Sequence, residues 1–309
     1  MERGLKSVAV MREERVARKF GKPGPSFFLI LLVGITVVLG AAYYASNREL
    51  SSSRADLLGK QRAAAETIGQ EWTPLRDTVE GIALENAREP YAGDVVKPEI
   101  AGWDFRALPG IYLRLRKAQA KDVASLRTAA KDSQKDSFCV CLLKGAAPKA
   151  DAGGAEDRPW NLRQAYAATR ILDEAWVAEV KAAENDMRLR VFAQQYEKAQ
   201  ANEIPLAVEI VKRAQFFLLV LDEDTDEARA QADGGVPTNE ELQTFPHPAR
   251  VVVVNLKNKE VLLRLRRNAE GQFFMAGEHA MTDPETRAAM KRQVNSCALA
   301  QAVAVEIPK

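Results

Sequence analysis

Histidine and cysteine are scarce in this chain of 309 residues, which holds two of the first and three of the second. So few leave little material for a zinc centre or a disulfide-dense scaffold. An excess of one charge is also missing: 44 Lys and Arg stand against 42 Asp and Glu, which removes the general case for a nucleic-acid partner. No phosphate-cradling Gly-Lys loop, Gly-x-Ser-x-Gly elbow, dinucleotide fingerprint or His-Glu-x-x-His pair occurs. No cofactor or metal is therefore expected, and a non-catalytic role is favoured. An acid/base pair among the many carboxylates stays open as an alternative, since no motif is needed for one. Apolar residues at 47% and charged ones at 28% exclude collagen-like and wholly disordered chains.

What the sequence does contain is one long oily run. Phe27 to Tyr44 holds no charge, and the charge-free window reaches from Pro23 to Asn47. A helix of this length spans a hydrocarbon core of about 30 Å. Seven basic residues against three acids in 1–25 place the N-terminus in the cytoplasm by the retention of Lys and Arg on that side. The rest would then stand outside the cytoplasmic (inner) membrane, periplasmic if the envelope has two membranes. A cleaved signal peptide, cut near Gly40-Ala41-Ala42, is the alternative, but its apolar core is usually 7–15 residues.

These flanks divide the chain into a basic tail (1–25), a transmembrane helix (26–46), a helical stalk (47–88), a Pro/Gly-rich linker (89–110) and an extracytoplasmic domain (111–309). Within the stalk, Leu57, Ala64, Ile68, Leu75, Val79, Ile82 and Asn86 follow a/d-like spacing. That seam fits either a dimeric coiled coil or a helix packed on its own domain, and its shortness favours the second. Thr73-Pro74 predicts a break and a new helix start.

The domain reads as α+β, with about five mainly antiparallel strands and flanking helices. Strands are expected at 110–117, 137–143, 216–221, 250–256 and 259–266, the last two joined as a hairpin. Helices are expected at 121–133, 205–214 and 282–305, the last burying Met290, Val294, Cys297 and Ala298. A very long helical pattern covers 159–202, with Leu162, Tyr166, Thr169, Leu172, Trp176, Val180, Ala183, Met187 and Val191 inward. Residues 145–158 read as a flexible loop.

Cys139 and Cys141 share a strand face in this reading and cannot easily bond to each other. The three cysteines read either as buried small hydrophobes or, in an extracytoplasmic domain, as a bridge to Cys297 from Cys139, slightly preferred, with Cys141 as the alternative partner. Asp222, Asp224 and Asp226 have calcium-loop spacing but lack its glycine and its bidentate glutamate, so they read as a solvated strand end. His247 and His279 stand alone. Arg114, Arg116, Arg264 and Arg266 would make an anion-binding face if their strands were neighbours, but the favoured reading is a solvated face paired with Asp and Glu, since unpaired like charges across strands destabilise.

The hairpin RVVVVNLKNKEVLLRLRR, after a membrane anchor and a long helix, is similar to strands of extracytoplasmic Cache-type sensor domains. That resemblance implies a ligand-sensing domain with an enclosed pocket. The second transmembrane helix and output domain such receptors use are lacking, and no site residue is carried over. The favoured expectation is a membrane-anchored binding or scaffolding protein of the cell envelope, partnered by an envelope protein or by a second copy through its helices. The alternatives are the sensor and a carboxylate hydrolase.

Overall fold

A computed structural model describes residues 25–88, 90–133, 136–142, 159–231, 236–272 and 283–308. The basic tail, the 145–158 loop, Gly234-Gly235 and His279 lie outside the described residues.

One helix dominates: α1 runs from Pro25 to Ala87, about 95 Å at 1.5 Å per residue. Its first third is apolar and fully exposed, long and oily enough to cross a membrane. Its last two thirds belong to the domain core. Leu57, Ala64, Trp72, Val79, Ile82, Ala83 and Ala87 are buried, while Leu50, Ile68 and Leu75 pack against the same cluster. The predicted seam is thus covered by the chain's own helices and is not the face of a dimeric coiled coil. The predicted break is also absent. Pro74 sits inside the helix, and packing on both sides of it outweighs the missing N–H.

The sheet has six strands, where about five were expected. They are β1 (Val95–Val96), β2 (Gly110–Arg116), β3 (Trp160–Asn161), β4 (Phe216–Asp222), β5 (His247–Asn255) and β6 (Glu260–Ala269), in the order β1-β6-β5-β4-β2-β3. Three of the five pairings are antiparallel, and β2 lies parallel to both β3 and β4. The segment expected to be a linker supplies β1, which pairs with β6.

Two expected elements are corrected. The strand expected at 137–143 is not formed by its described residues, 137–142: Phe138–Leu142 is a short helix, here α3, following α2 (Val123–Asp132). An apolar run buried all round carries no period that separates strand from helix. The pattern over 159–202 is not one helix either. It divides into β3, α4 (Arg163–Ala168), a 3-10 turn, α5 (Glu174–Lys181), α6 (Asp186–Lys198) and a π-helical turn (Ala199–Glu203) leading into α7 (Ile204–Arg213). Asn185 restarts the helix, its side chain accepting from the Arg188 N–H. Pro205 near the start of α7 cannot donate to a carbonyl one turn back, which suits the π-helical turn before it.

Helices cover both faces of the sheet. On one, α1, α2 and α4–α7 pack over Ile111, Leu113, Leu115, Phe217, Leu219, Leu221, Val252 and Val254. On the other, α3 and the last helix, α10 (Pro284–Glu306), pack over Tyr112, Phe216, Leu218, Val220, Val251, Val253 and Leu265. Two short helices, α8 (Asp226–Gln231) and α9 (Asn239–Gln243), lie between β4 and β5. Gly110 is required where it stands, because an added Cβ would lie 2.1 Å from the Phe216 ring paired opposite it.

Cys141 and Cys297 form the disulfide, with Cα atoms 5.1 Å apart, tying α3 to α10. Cys139, preferred in the sequence reading, is a buried thiol outside the bridge. The reason is the helix: in α3 the two cysteines no longer share a face, and Cys141 is the one turned to α10.

Candidate functional site

The polar residues of this domain gather at the carboxyl ends of the parallel pair β2 and β4, the place where open α/β sheets hold their ligands. All seven residues of β2 are buried. Arg114, flanked by neighbours on both sides and covered above, cannot reach water. Its Nε and Nη2 donate to the two oxygens of Asp222 at 2.8 and 2.9 Å, while Nη1 donates to Asp136 at 2.5 Å and to Ser296 at 2.8 Å. Gln243 donates to Asp222 at 3.2 Å, and the Tyr112 hydroxyl donates to Asp136 at 2.8 Å. The ring nitrogens of His247 face Asp222 at 3.0 Å and the Phe245 carbonyl at 2.7 Å.

Burial opposes ionisation of Asp222, but the Arg114 guanidinium, and then His247, outweigh it and hold the carboxyl well below the usual carboxylate range. Burial, with Asp136 beside it, pushes the Tyr112 hydroxyl well above its ordinary value. The network joins β2, β4, β5 and α10 across one face of the sheet, and among the described residues its charged groups are engaged with one another, so its chemistry is cohesive.

One residue further along, the charges turn outward. Glu223 accepts from Arg250 at 2.5 Å and from Arg266 at 2.8 Å. Arg250 also donates to the Arg88 carbonyl at 2.9 Å, just past the end of α1, where unpaired carbonyls favour a cation. Asp224 meets Arg116 at 2.7 Å and Arg229 at 3.6 Å. Beyond these pairs opens a cleft of about 520 Å³, lined by Arg88, Lys117, Lys121 and Arg229 as well as Glu223 and Asp224, with Leu84 and Ala87 of α1 forming one wall.

Cations outnumber carboxylates seven to two when Arg116, Arg250 and Arg266 behind the wall are included. Lys117 registers this surplus: burial, and then Arg250, lower its pKa, with Arg266 adding to the effect. Such a cleft suits a carboxylate, phosphate or sulfate group.

The four arginines predicted as one face are not brought together. The register puts Arg114 and Arg116 on one face of the sheet and Arg264 and Arg266 on the other, with β4 and β5 between their strands. Arg114 is consumed by the buried network. Arg264 donates to the Gly93 carbonyl at 2.9 Å, holding the approach to β1. Only Arg116 and Arg266 reach the cleft, from opposite faces and through its two carboxylates.

The acidic run is likewise not a solvated strand end. Asp222 is fully buried, Asp224 is largely buried against Arg116, and Asp226 alone is exposed. Among the described residues no group of three His, Cys, Asp or Glu side chains is arranged to hold a metal ion. Two further clefts, of about 630 and 240 Å³, are also open to the surface. Both faces of the sheet are filled by packed side chains. Neither family models nor known proteins nor solved structures give a match to this chain.

Sequence reasoning missed His247, Asp136 and Ser296 as partners, Lys117 and Glu223 as cleft residues, and Arg250 as the cation behind Glu223. One signal was present. The strand GIYLRLR must neighbour the wholly apolar FFLLVL if both are central, and a central strand buries its arginines.

Proposed function

We propose that this chain is a single-pass, membrane-anchored binding or scaffolding protein of the cell envelope, without a catalytic role. Its domain stands outside the cytoplasmic membrane and offers the basic cleft to an anionic group on an envelope partner. The observation that supports this reading is the double use of α1: its exposed apolar end is continuous with the helix at the centre of the domain core. The cleft closes against Leu84 and Ala87, so it lies about 60 Å along the helix axis from the apolar segment. A rigid rod holding a binding site at a set height suits scaffolding better than turnover, and the two cleft carboxylates are each engaged by two arginines.

The test uses the full-length chain in cells, with a topology reporter at Lys309 and a photo-crosslinker at Lys121. Expected are carbonate-resistant membrane association, a reporter active outside the cytoplasm, and a discrete crosslinked partner that Lys117→Glu with Arg88→Glu abolishes. A cytoplasmic reporter, or an adduct indifferent to charge reversal in the cleft, overturns the proposal.

A further inference from the structure

The apolar periodicity predicts Met187 and Val191 to face inward, yet they are 78% and 48% exposed. The break at Asn185 explains the change of phase: α6 buries Leu189, Phe192 and Tyr196 instead. It does not explain why two apolar side chains one turn apart should face outward. Their position does.

The Arg54 guanidinium donates to the Ala183 carbonyl at 2.6 Å, and the Tyr196 hydroxyl donates to the Lys60 carbonyl at 3.0 Å. Helix α6 therefore advances in the same sense as α1, with its first turn nearest the apolar segment. The domain core already touches α1 at Leu50, only about 8 Å past Ala45, where an apolar span beginning at Pro25 reaches the edge of a ~30 Å hydrocarbon layer. Headgroups extend roughly 5–8 Å further. Side chains on a helix lean toward its N-terminus, which carries the Arg54 guanidinium, and the α5–α6 corner it holds, back toward that layer. The corner bears Lys181, Glu184, Asp186, Met187 and Arg188, all exposed, and Asp186 is engaged by Arg190 at 2.7 Å, which leaves Lys181 and Arg188 against Glu184. Among the described residues neither cation is paired with a carboxylate. An exposed methionine at this height, with Lys181, Arg188 and Arg190 outnumbering Glu184 and Asp186 around it, has the make-up of an interfacial anchor, the apolar chain dipping in and the two uncommitted cations meeting phosphates.

We infer that the corner between α5 and α6 is a second membrane contact, in which Met187 enters the headgroup layer and Lys181 and Arg188 meet anionic lipid phosphates. The domain is then seated on the bilayer rather than lifted above it, and residues 47–88 are no stalk. This inference rests on the membrane-anchored reading and adds a lipid-binding surface to it.

The full-length protein is reconstituted into vesicles of phosphatidylcholine with phosphatidylglycerol, and nitroxides are placed singly at Met187→Cys, Leu32→Cys and Val236→Cys. Val236 is 74% exposed, matching Met187, and the unsubstituted protein supplies the background from Cys139. Collision with lipid-soluble oxygen and with an aqueous nickel chelate reads the depth of each label. Expected are a lipid-shielded label at 32, a water-exposed one at 236, and loss of nickel accessibility at 187 that Lys181→Glu with Arg188→Glu restores. A label at 187 as open to nickel as that at 236, while 32 stays shielded, overturns the lipid contact and leaves the anchor standing. A nickel-accessible label at 32 overturns the anchor itself.

Discussion

At the scale of single residues, Asp222 carries the largest electrostatic burden in the domain, because Arg114 has no other bidentate partner and no path to water. Asp222→Asn removes the charge and leaves the guanidinium buried, so the full-length protein should lose about 3–5 kcal/mol of stability near neutral pH. The pH dependence follows from the direction of the shift. The folded pKa lies below the unfolded value, so the contribution is fully present above about pH 4 and is lost as pH falls through the folded value. Denaturation curves of the wild type and Asp222→Asn should therefore be far apart at pH 7 and converge below pH 4. Curves that stay parallel would show that Asp222 does not stabilise the fold through its charge.

Little of this was legible beforehand. Arg114 and Asp222 are 108 positions apart, and alternation along GIYLRLR reads the same for a strand facing water as for one covered on both sides. The last helix misled for a related reason. Apolar character pointed to Met290, Val294 and Ala298 as its inner stripe, whereas the buried positions are Asn295, Ser296, Leu299, Ala300 and Val303. Ser296 faces inward because Arg114 needs an acceptor there, and Asn295 because it donates to the Gln243 carbonyl at 3.0 Å.

At the scale of elements, α1 decides where the domain begins. Trp72 is 2% exposed and meets Tyr166 edge-on with ring centres 6.3 Å apart. Glu80, almost wholly buried, accepts from Tyr166 at 3.0 Å and from Arg127 at 2.8 Å. The helix is a core element from Leu50 to Ala87, so a chain starting near residue 100 would expose the surface that α1 covers and should not fold. Trp72→Ala should cost about 3–5 kcal/mol. Pro74→Ala, two residues on, should instead stabilise by about 1–3 kcal/mol by restoring an N–H to the helix ladder. Thermal unfolding of both variants in detergent would read opposite shifts in Tm, and two destabilised variants would point to a packing role for the proline ring. The four longer strands and the helices α2, α7 and α10 were legible as elements because each carries its own period and end signals: Asp122 caps α2, Asp283 caps α10, and a polar turn joins the two strands of the hairpin. The partner of α1 was not, since an a/d stripe states that a face is apolar and leaves open which surface covers it.

At the scale of the whole molecule, the membrane-anchored proposal turns on the direction in which α1 would thread a bilayer. The candidate span has Pro25 at one end and the domain at the other, so one orientation exposes the basic cleft to the cytoplasm and the other to the outside. Local charge biases that choice, because Lys and Arg near a span resist translocation whereas acids count for little. Residues 1–25 carry seven basic side chains, and the comparable stretch after the span carries four: Arg48, Arg54, Lys60 and Arg62. The margin is small enough to reverse. Replacing Arg12, Arg15, Arg18 and Lys19 by glutamine leaves three against four, and a reporter at Lys309 should then appear in the cytoplasm in a substantial fraction of molecules. Replacing Arg48 and Arg62 instead widens the bias and should leave the reporter wholly outside. Arg54 and Lys60 stay untouched in that variant, since Arg54 holds the Ala183 carbonyl and Lys60 pairs with Asp56 at 2.8 Å. Equal reporter distributions in both variants would mean that the folding of so large a domain, and not the charge beside the span, sets the topology, and the outward placement of the cleft would lose its support.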